Sequence, residues 1–355
     1  MLESPDNKIL QEDIEQAVAQ NLSLDELKGS RIFVTGATGL IGSQVIKFLL
    51  CLNRLKNMDI TVIAFARSEE KAKKVFPYLE EEEHLFLALG DISCPLDYAG
   101  EVDYILHGAS PTSSKYFVSN PVETIVTAID GTRYVLEFAR QKQVKGVVYL
   151  SSLEMYGTPA EDAGKITEKD YGYIDPLSVR SSYSEGKRII ECLCASYAQE
   201  YSVPVKIARL SQTFGAGVEY DDGRVFAEFA RCAIEGRNIV LHTEGKTVRS
   251  YCYTMDAVTA LLVILLKGNI GEAYNVTNMD TAISIYDMAK LVCDLQPESG
   301  ISVEKDIPED LASFGYNPEM IIRLDSTKLQ ELGWRATVDL QEMYKRLIAS
   351  MKTGK

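Results

Sequence analysis

From Arg31 onward the chain alternates short apolar runs with longer stretches whose apolar residues recur at helical spacing. Arg31–Thr35 reads as a strand, Gly36–Gly42 as a glycine-rich turn and Ser43–Leu52 as an apolar helix. Ile60–Ala66 and Leu85–Leu89 follow as strands, then Val102–His107, Gly146–Ser151 and Val205–Arg209, with helical patterns near 121–141 and 183–201. Strands separated by helices imply right-handed crossovers, and so an α/β fold built on a parallel, doubly wound sheet. Beyond about residue 210 the pattern loosens into loops, short helices and a few strands, as in a smaller second lobe. Upstream of Arg31, Leu10, Ile14, Val18 and Leu22 recur every four residues. They predict a short amphipathic helix, making 1–29 an appended segment that packs on the body. A lid or a dimer arm is the functional alternative.

Composition narrows the class. With 355 residues, 46% hydrophobic and 25% charged, the chain suits one large soluble α/β unit or two domains sharing an active site. A formal net charge of −14 argues against a nucleic-acid partner, which would call for a basic footprint. The N-terminus lacks the basic start and apolar core of a secretory signal. Ala257–Leu266, the longest apolar stretch, is too short to cross a bilayer. A cytoplasmic protein with no membrane partner is therefore expected. Seven scattered cysteines fit reduced thiols, and Cys192/Cys194 lacks the spacing of a zinc or redox pair. Three histidines (His84, His107, His242) make a metal site an unpromising expectation, so the chemistry must come from other groups.

The turn Thr35-Gly-Ala-Thr-Gly-Leu-Ile-Gly42 follows a strand and opens a helix. In that context Gly36 permits the tight turn, Gly39 lets backbone approach a pyrophosphate, and Gly42 allows close helix–strand packing. The amides of the first helical turn, at Leu40 and Ile41, and the helix dipole then hold the anion. This is the signature of a Rossmann-type sheet, with residues 30–209 as the dinucleotide-binding domain and 210–355 mainly a substrate-binding lobe, some of whose segments can return to the first domain. The second strand ends Ala-Phe-Ala66-Arg67-Ser68, without the carboxylate that would bond an adenosine ribose. Arg67, helped by Ser68, can pair with a 2′-phosphate instead, which tilts the expectation from NAD towards NADP. Asp91 and Ile92, after the third strand, are placed to contact adenine, although Asp91 could equally cap a turn.

Tyr183 and Lys187 stand four apart, on one face of a helix. A lysine ammonium beside a phenol, together with a positively charged nicotinamide, favours the phenolate and lowers its pKa from about 10, so that the pair can take a proton from a sugar hydroxyl. The strand 146–150 runs into Ser151-Ser152, where an open α/β sheet binds ligands, and Ser152 can bond the same substrate oxygen. Helix or turn capping is the bland alternative for both serines.

These segments together resemble the extended short-chain dehydrogenases that modify nucleotide sugars, the NAD-dependent epimerase/dehydratase family, over roughly residues 31–345. His107-Gly-Ala-Ser-Pro-Thr112, Asn120-Pro-Val-Glu-Thr124, Arg180-Ser-Ser-Tyr-Ser-Glu-Gly-Lys-Arg188, Asp222-Gly-Arg-Val225 and Arg249-Ser-Tyr-Cys-Tyr253 are similar to UDP-glucuronate decarboxylases, with some likeness to dTDP-glucose 4,6-dehydratases. The tail from Leu324 to Trp334 also looks like this family. The resemblance implies hydride removal at the sugar's fourth position to a 4-keto intermediate, then dehydration, epimerisation or decarboxylation. It makes Ser152, Tyr183 and Lys187 catalytic, with Glu154 near the reacting carbons. Ala109 joins the cofactor contacts, and Thr112, Gln212, Arg224 and Arg249 the substrate contacts, Arg249 on the diphosphate. For Arg224 an ion pair with Asp221 or Asp222 is the alternative. The resemblance also implies a homodimer formed by the two long helices, with Ile189, Ile190, Leu193 and Tyr197 as candidate contacts, though burial within one subunit fits them equally.

Three departures matter. Leu153 stands where 4,6-dehydratases carry an acid, Gln212 where an asparagine is usual, and Ala128 where another asparagine is usual. Three readings follow: transient oxidation of a nucleotide sugar, net NADPH-dependent reduction (or NADP-dependent oxidation) of a nucleotide-linked sugar, polyol or carbonyl compound, and a non-catalytic dinucleotide sensor.

Overall fold

The computed structural model describes residues 1–110, 114–160, 164–308 and 319–353. Its first part runs α1 (Lys8–Ala19), β1 (Arg31–Thr35), α2 (Leu40–Lys56), β2 (Thr61–Ala66), α3 (Glu69–Val75), β3 (Leu85–Leu89), β4 (Tyr104–His107), α4 (Ser114–Ser119), α5 (Pro121–Lys142), β5 (Gly146–Ser152), α6 (Ser182–Tyr201) and β6 (Val205–Leu210). Then come β7 (Gln212–Phe214), α7 (Val225–Glu235), β8 (Ile239–Leu241), β9 (Val248–Tyr253), α8 (Thr254–Lys267), β10 (Ala273–Val276), β11 (Asn278–Ser284), α9 (Ile285–Leu295), β12 (Val303–Lys305), β13 (Ile321–Ile322), α10 (Thr327–Glu331) and α11 (Leu340–Thr353).

The main sheet has seven strands in the order β10-β6-β5-β4-β1-β2-β3, and every pairing in it is parallel. Its strands are apolar nearly throughout because helices cover both faces. The order reverses between β1 and β4, which puts a ligand crevice outside their carboxyl ends. β10 lies beyond residue 210 yet completes this sheet beside β6, with α8 packed against β5 and β6. The remaining strands form a four-stranded sheet centred on β9, and a parallel β8/β12 pair. Among the described residues no helix is long and apolar enough to cross a membrane.

The N-terminal segment is part of the core. Leu10, Ile14, Ala17, Val18, Leu24 and Leu27 are all buried within the main apolar cluster, Ile14 completely. α1 packs on α2, α8 and α11, so it touches the sheet layer and the second lobe at once. Arg54 on α2 binds Glu3 at 2.8 Å and Glu15 at 2.7 Å. Asp13 accepts from the Tyr253 hydroxyl and from Arg346 on α11. Burial pushes the Asp13 carboxyl up to about 6 despite these two donors. Leu22, expected on the same helical face, lies past the end of α1.

Candidate active site

The site is assembled at the carboxyl ends of β1, β4 and β5. Gly36 adopts φ +68°, and a Cβ there would lie 2.7 Å from the Gly108 carbonyl carbon. At Gly42 a Cβ would meet the Gly36 oxygen at 2.2 Å. The turn thus presses β1 against both α2 and the residues after β4, and only hydrogen side chains fit. Gly39 is the N-cap of α2 and offers no side-chain cap, so nothing of its own covers the leading amides at Leu40 and Ile41. A 17-residue helix without a side-chain cap behind a glycine turn fits a pyrophosphate. Ala109 is fixed beside it by its amide, which donates to Thr35 Oγ1 at 3.2 Å. His107 bridges Thr35 (2.7 Å) and Thr132 (3.1 Å), and complete burial takes its pKa down to about 3, leaving it a neutral strut.

At the adenosine end Arg67 and Ser68 are exposed after β2. The Ser68 hydroxyl caps α3, accepting from the Lys71 amide at 3.1 Å. Asp91 accepts from Ser93, which together with the nearby Arg67 charge holds its carboxyl below the usual range. Ile92 is buried against Gly131 of α5. Both readings of Asp91 are therefore compatible, since its turn-closing bonds leave it at the crevice edge.

Ser152 ends β5 and caps the following turn, accepting from the Glu154 amide at 3.3 Å. Tyr183 and Lys187 project from α6 towards it. Lys187 Nζ donates to the Leu150 carbonyl at 2.8 Å and stands 5.5 Å from the centre of the Tyr183 ring. Burial dominates both groups: it raises Tyr183 to about 12, against a hydrogen bond from Ser152, and lowers Lys187 to about 8, against Glu191. This bears only on the protein's own share of the expected lowering: without the nicotinamide charge, burial outweighs the donors around the phenol. Enclosure disfavours the charged form of each partner.

Glu154 lies on the turn that Ser152 caps. It accepts from Arg249 at 3.1 Å, and Arg180 lies 4.0 Å from its other oxygen. Arg249, placed by β9, therefore faces a protein carboxylate here rather than projecting freely. Arg224 turns to Asp222 through bonds of 2.5–3.1 Å, the ion-pair alternative, while still lowering the Tyr183 pKa through its charge. Gln212 opens β7 half-buried, in register with Tyr251. Thr112 lies outside the described residues.

Leu153 is buried with Met155, Tyr156, Ile166, Ile322 and Leu324. That apolar cluster explains why a leucine is at home there. Ala128 lies where α5 meets α6, close to Gly186, so a small residue serves the helix contact. Two residues escaped the sequence reading. Phe117 of α4 stacks on Tyr183 with centroids 4.2 Å apart and planes at 11°. Arg180 sits over the Phe117 ring at 5.5 Å and adds its charge to the site. Arg180 is three residues before Tyr183, so helical spacing could have flagged it; Phe117 had no local signal.

Comparison with known proteins agrees with this geometry. The model of the NAD dependent epimerase/dehydratase family matches residues 32–277. UDP-glucuronic acid decarboxylase 6 of Arabidopsis thaliana is 32% identical over 314 residues, covering 88% of this chain and 86% of that protein. UDP-glucuronic acid decarboxylase 1 of Xenopus tropicalis is 30% identical, over 90% of this chain and 71% of its own length. Among solved structures, UDP-glucose 4-epimerase of Thermotoga maritima with UDP-glucose has a TM-score of 0.75 at 22% identity, covering 91% of this chain and 99% of that one. A UDP-glucuronic acid 4-epimerase mutant of Bacillus cereus, in complex with a fluorinated UDP-glucuronic acid and NAD, scores 0.76 at 22% identity, covering 92% and 100%.

Proposed function

The chain belongs to the NAD dependent epimerase/dehydratase family, and from that premise we propose that it acts on a nucleotide-activated uronic acid through transient oxidation, with decarboxylation as the step that follows. The observation that carries this reading is the grouping of Ser152, Tyr183 and Lys187 at the end of β5, with Glu154 on the next turn held by Arg249 and Arg180. A dinucleotide bound at Gly36, Gly39 and Gly42 supplies the hydride acceptor and donor.

The protein's own groups do the rest. Tyr183, ionised when the filled site adds positive charge, takes the proton of the sugar hydroxyl on its phenolate oxygen, and Ser152 orients that hydroxyl. Lys187 supplies a positive charge behind the phenol. The resulting ketone is β to the uronate carboxylate, so carbon dioxide can leave with its bonding electrons delocalised into the carbonyl. Glu154, on the turn after Ser152, borders the reacting carbons. Loss of hydroxide would need an acid at position 153, and Leu153 in its apolar cluster offers none, which disfavours dehydration.

The finer choice of cofactor follows Arg67, whose exposed guanidinium suits the 2′-phosphate of NADP. The same arginine favours the second reading, a net NADPH-dependent reductase. Denaturing the freshly purified protein and identifying the released dinucleotide separates the two. Stoichiometric NAD⁺ or NADP⁺ is expected, and incubation with UDP-glucuronate is expected to give a nucleotide sugar lighter by carbon dioxide. An empty protein that oxidises NADPH with a carbonyl substrate, and leaves UDP-glucuronate intact, would overturn the decarboxylase reading.

We also propose a homodimer through α5 and α6. Val122, Ile125, Val126 and Ile189 leave an apolar stripe on the outer face of this helix pair, whereas Ile190 turns inward. Sedimentation is expected to give twice the chain mass, and Val126→Asp to give the monomer; a monomeric wild type at micromolar concentration sinks the proposal.

A further inference from the structure

Three consecutive residues at the end of β5 are each engaged by a different turn of α6. The Leu150 carbonyl accepts from Lys187 at 2.8 Å, the Ser151 hydroxyl donates to Glu191 Oε1 at 2.5 Å, and Ser152 bonds Tyr183. Residues 183, 187 and 191 are four apart and share one helix face. Glu191 is buried and closes a second set of contacts. Arg209 on β6, opposite Ser151 in register, binds it through Nε at 3.0 and 3.1 Å and through a terminal nitrogen at 2.6 Å. The other terminal nitrogen of Arg209 donates to the Tyr156 hydroxyl at 2.9 Å and the Glu168 carbonyl at 2.8 Å. Tyr156 belongs to the turn that carries Glu154. One ion pair therefore ties together α6, β5, β6 and the turn bearing Glu154.

A buried ion pair adds little to stability, since apolar residues of the same volume do as well or better. Its location at the foot of the proton-transfer pair suggests another use. We propose that Glu191 is a positioning residue, the third rung of a ladder by which α6 sets Lys187 and Ser152 against Tyr183. The assignment rests on the reading of Tyr183 and Lys187 as the proton-transfer pair. Glu191 acts on charge as well as place. Burial pulls the Lys187 pKa down to about 8, and the Glu191 carboxylate is the main group pushing it back up, with Cys194 adding to it. The other groups facing this ammonium offset little: Tyr149 and Tyr183 present rings at 4.8 and 5.5 Å, and His107 is neutral.

The test is a pH titration of the full-length protein labelled with ¹⁵N-lysine, following the Lys187 amine by NMR and assigning it by its loss in Lys187→Met. In Glu191→Gln the titration midpoint is expected to fall by roughly one pH unit. In Ser151→Ala, which leaves the ion pair intact, it should stay near the wild-type position. An unchanged midpoint in Glu191→Gln overturns the proposal, and because no substrate is involved, that outcome is independent of the fate of the decarboxylase reading. With an active wild type, kcat needs the ammonium and is lost as pH rises through its pKa. The alkaline limb of the Glu191→Gln profile should therefore move to lower pH, with KM within about threefold; equal loss of kcat at every pH would mark a merely structural role and overturn positioning. Should Glu191→Gln fail to fold with Arg209 left unpaired, Glu191→Gln/Arg209→Met removes both charges, and a downward midpoint, smaller because a positive charge is lost as well, is required of it.

Discussion

Replacing Tyr183 with phenylalanine is expected to lower kcat by roughly 10²- to 10⁴-fold, the range for a positioned acid–base group. The ring would keep its stack on Phe117 and its burial, so the fold should be undisturbed. The glycine turn and the start of α2 lie on other elements, so dinucleotide affinity is expected to change by no more than a few-fold. Turnover measured beside dinucleotide binding decides the matter. A variant that turns over at the wild-type rate would remove Tyr183 from the mechanism; one that loses dinucleotide binding in proportion to kcat would make its role one of cofactor binding. The pKa of about 12 sharpens the expectation. In the free protein the phenol keeps its proton across the neutral range, so the base form depends on added positive charge when the site is filled.

The second large effect is on stability. Removing residues 1–20 is expected to leave a chain that melts far below the intact protein or collects as aggregate. Leu10, Ile14 and Val18 are each nearly or fully buried. At about 1.5–3 kcal/mol for each fully buried aliphatic side chain, the three together contribute about 5–9 kcal/mol as an upper estimate. That is comparable to the whole stability of a typical domain, about 5–15 kcal/mol. The truncation would also uncover the apolar surfaces of α2, α8 and α11, and leave Arg54 and Arg346 without their Glu3, Glu15 and Asp13 partners. Ile14→Ala is a milder form of the same test, with an expected loss of about 2–5 kcal/mol in urea unfolding. A truncated protein that melts within a few degrees of the intact one would show that the segment is ornamental.

Much of this molecule is legible in its sequence because the signals concerned are local. Alternation of apolar runs names six of the seven strands of the main sheet to within a residue or two, since each is an almost continuous apolar run; the seventh, β10, lies in the stretch where the pattern loosens. Gly36, Gly39 and Gly42 declare the turn because backbone crowding at three fixed positions leaves few other choices. Tyr183 and Lys187 can be paired because helical spacing alone puts them on one face. Residues 1–29 show the limit of such signals: spacing reveals that Leu10, Ile14 and Val18 share a face, but not that this face meets α2 and α11 together.

What the tertiary structure decided are the matters that depend on the path of the chain between distant residues. Glu191 finds Ser151 and Arg209, Asp13 finds Tyr253 and Arg346, and Phe117 finds Tyr183 only once the elements are packed. The return of β10 to the main sheet is of this kind, as is the turning of Arg249 to Glu154. So are the shifted pKa values of Tyr183 and Lys187, because they arise from enclosure, and enclosure is built by residues from many elements at once. Local spacing encodes the periodicity of a segment and the face it must bury. It holds no record of which distant surface will cover that face, and it is that covering surface that sets the dielectric, the partners and the chemistry.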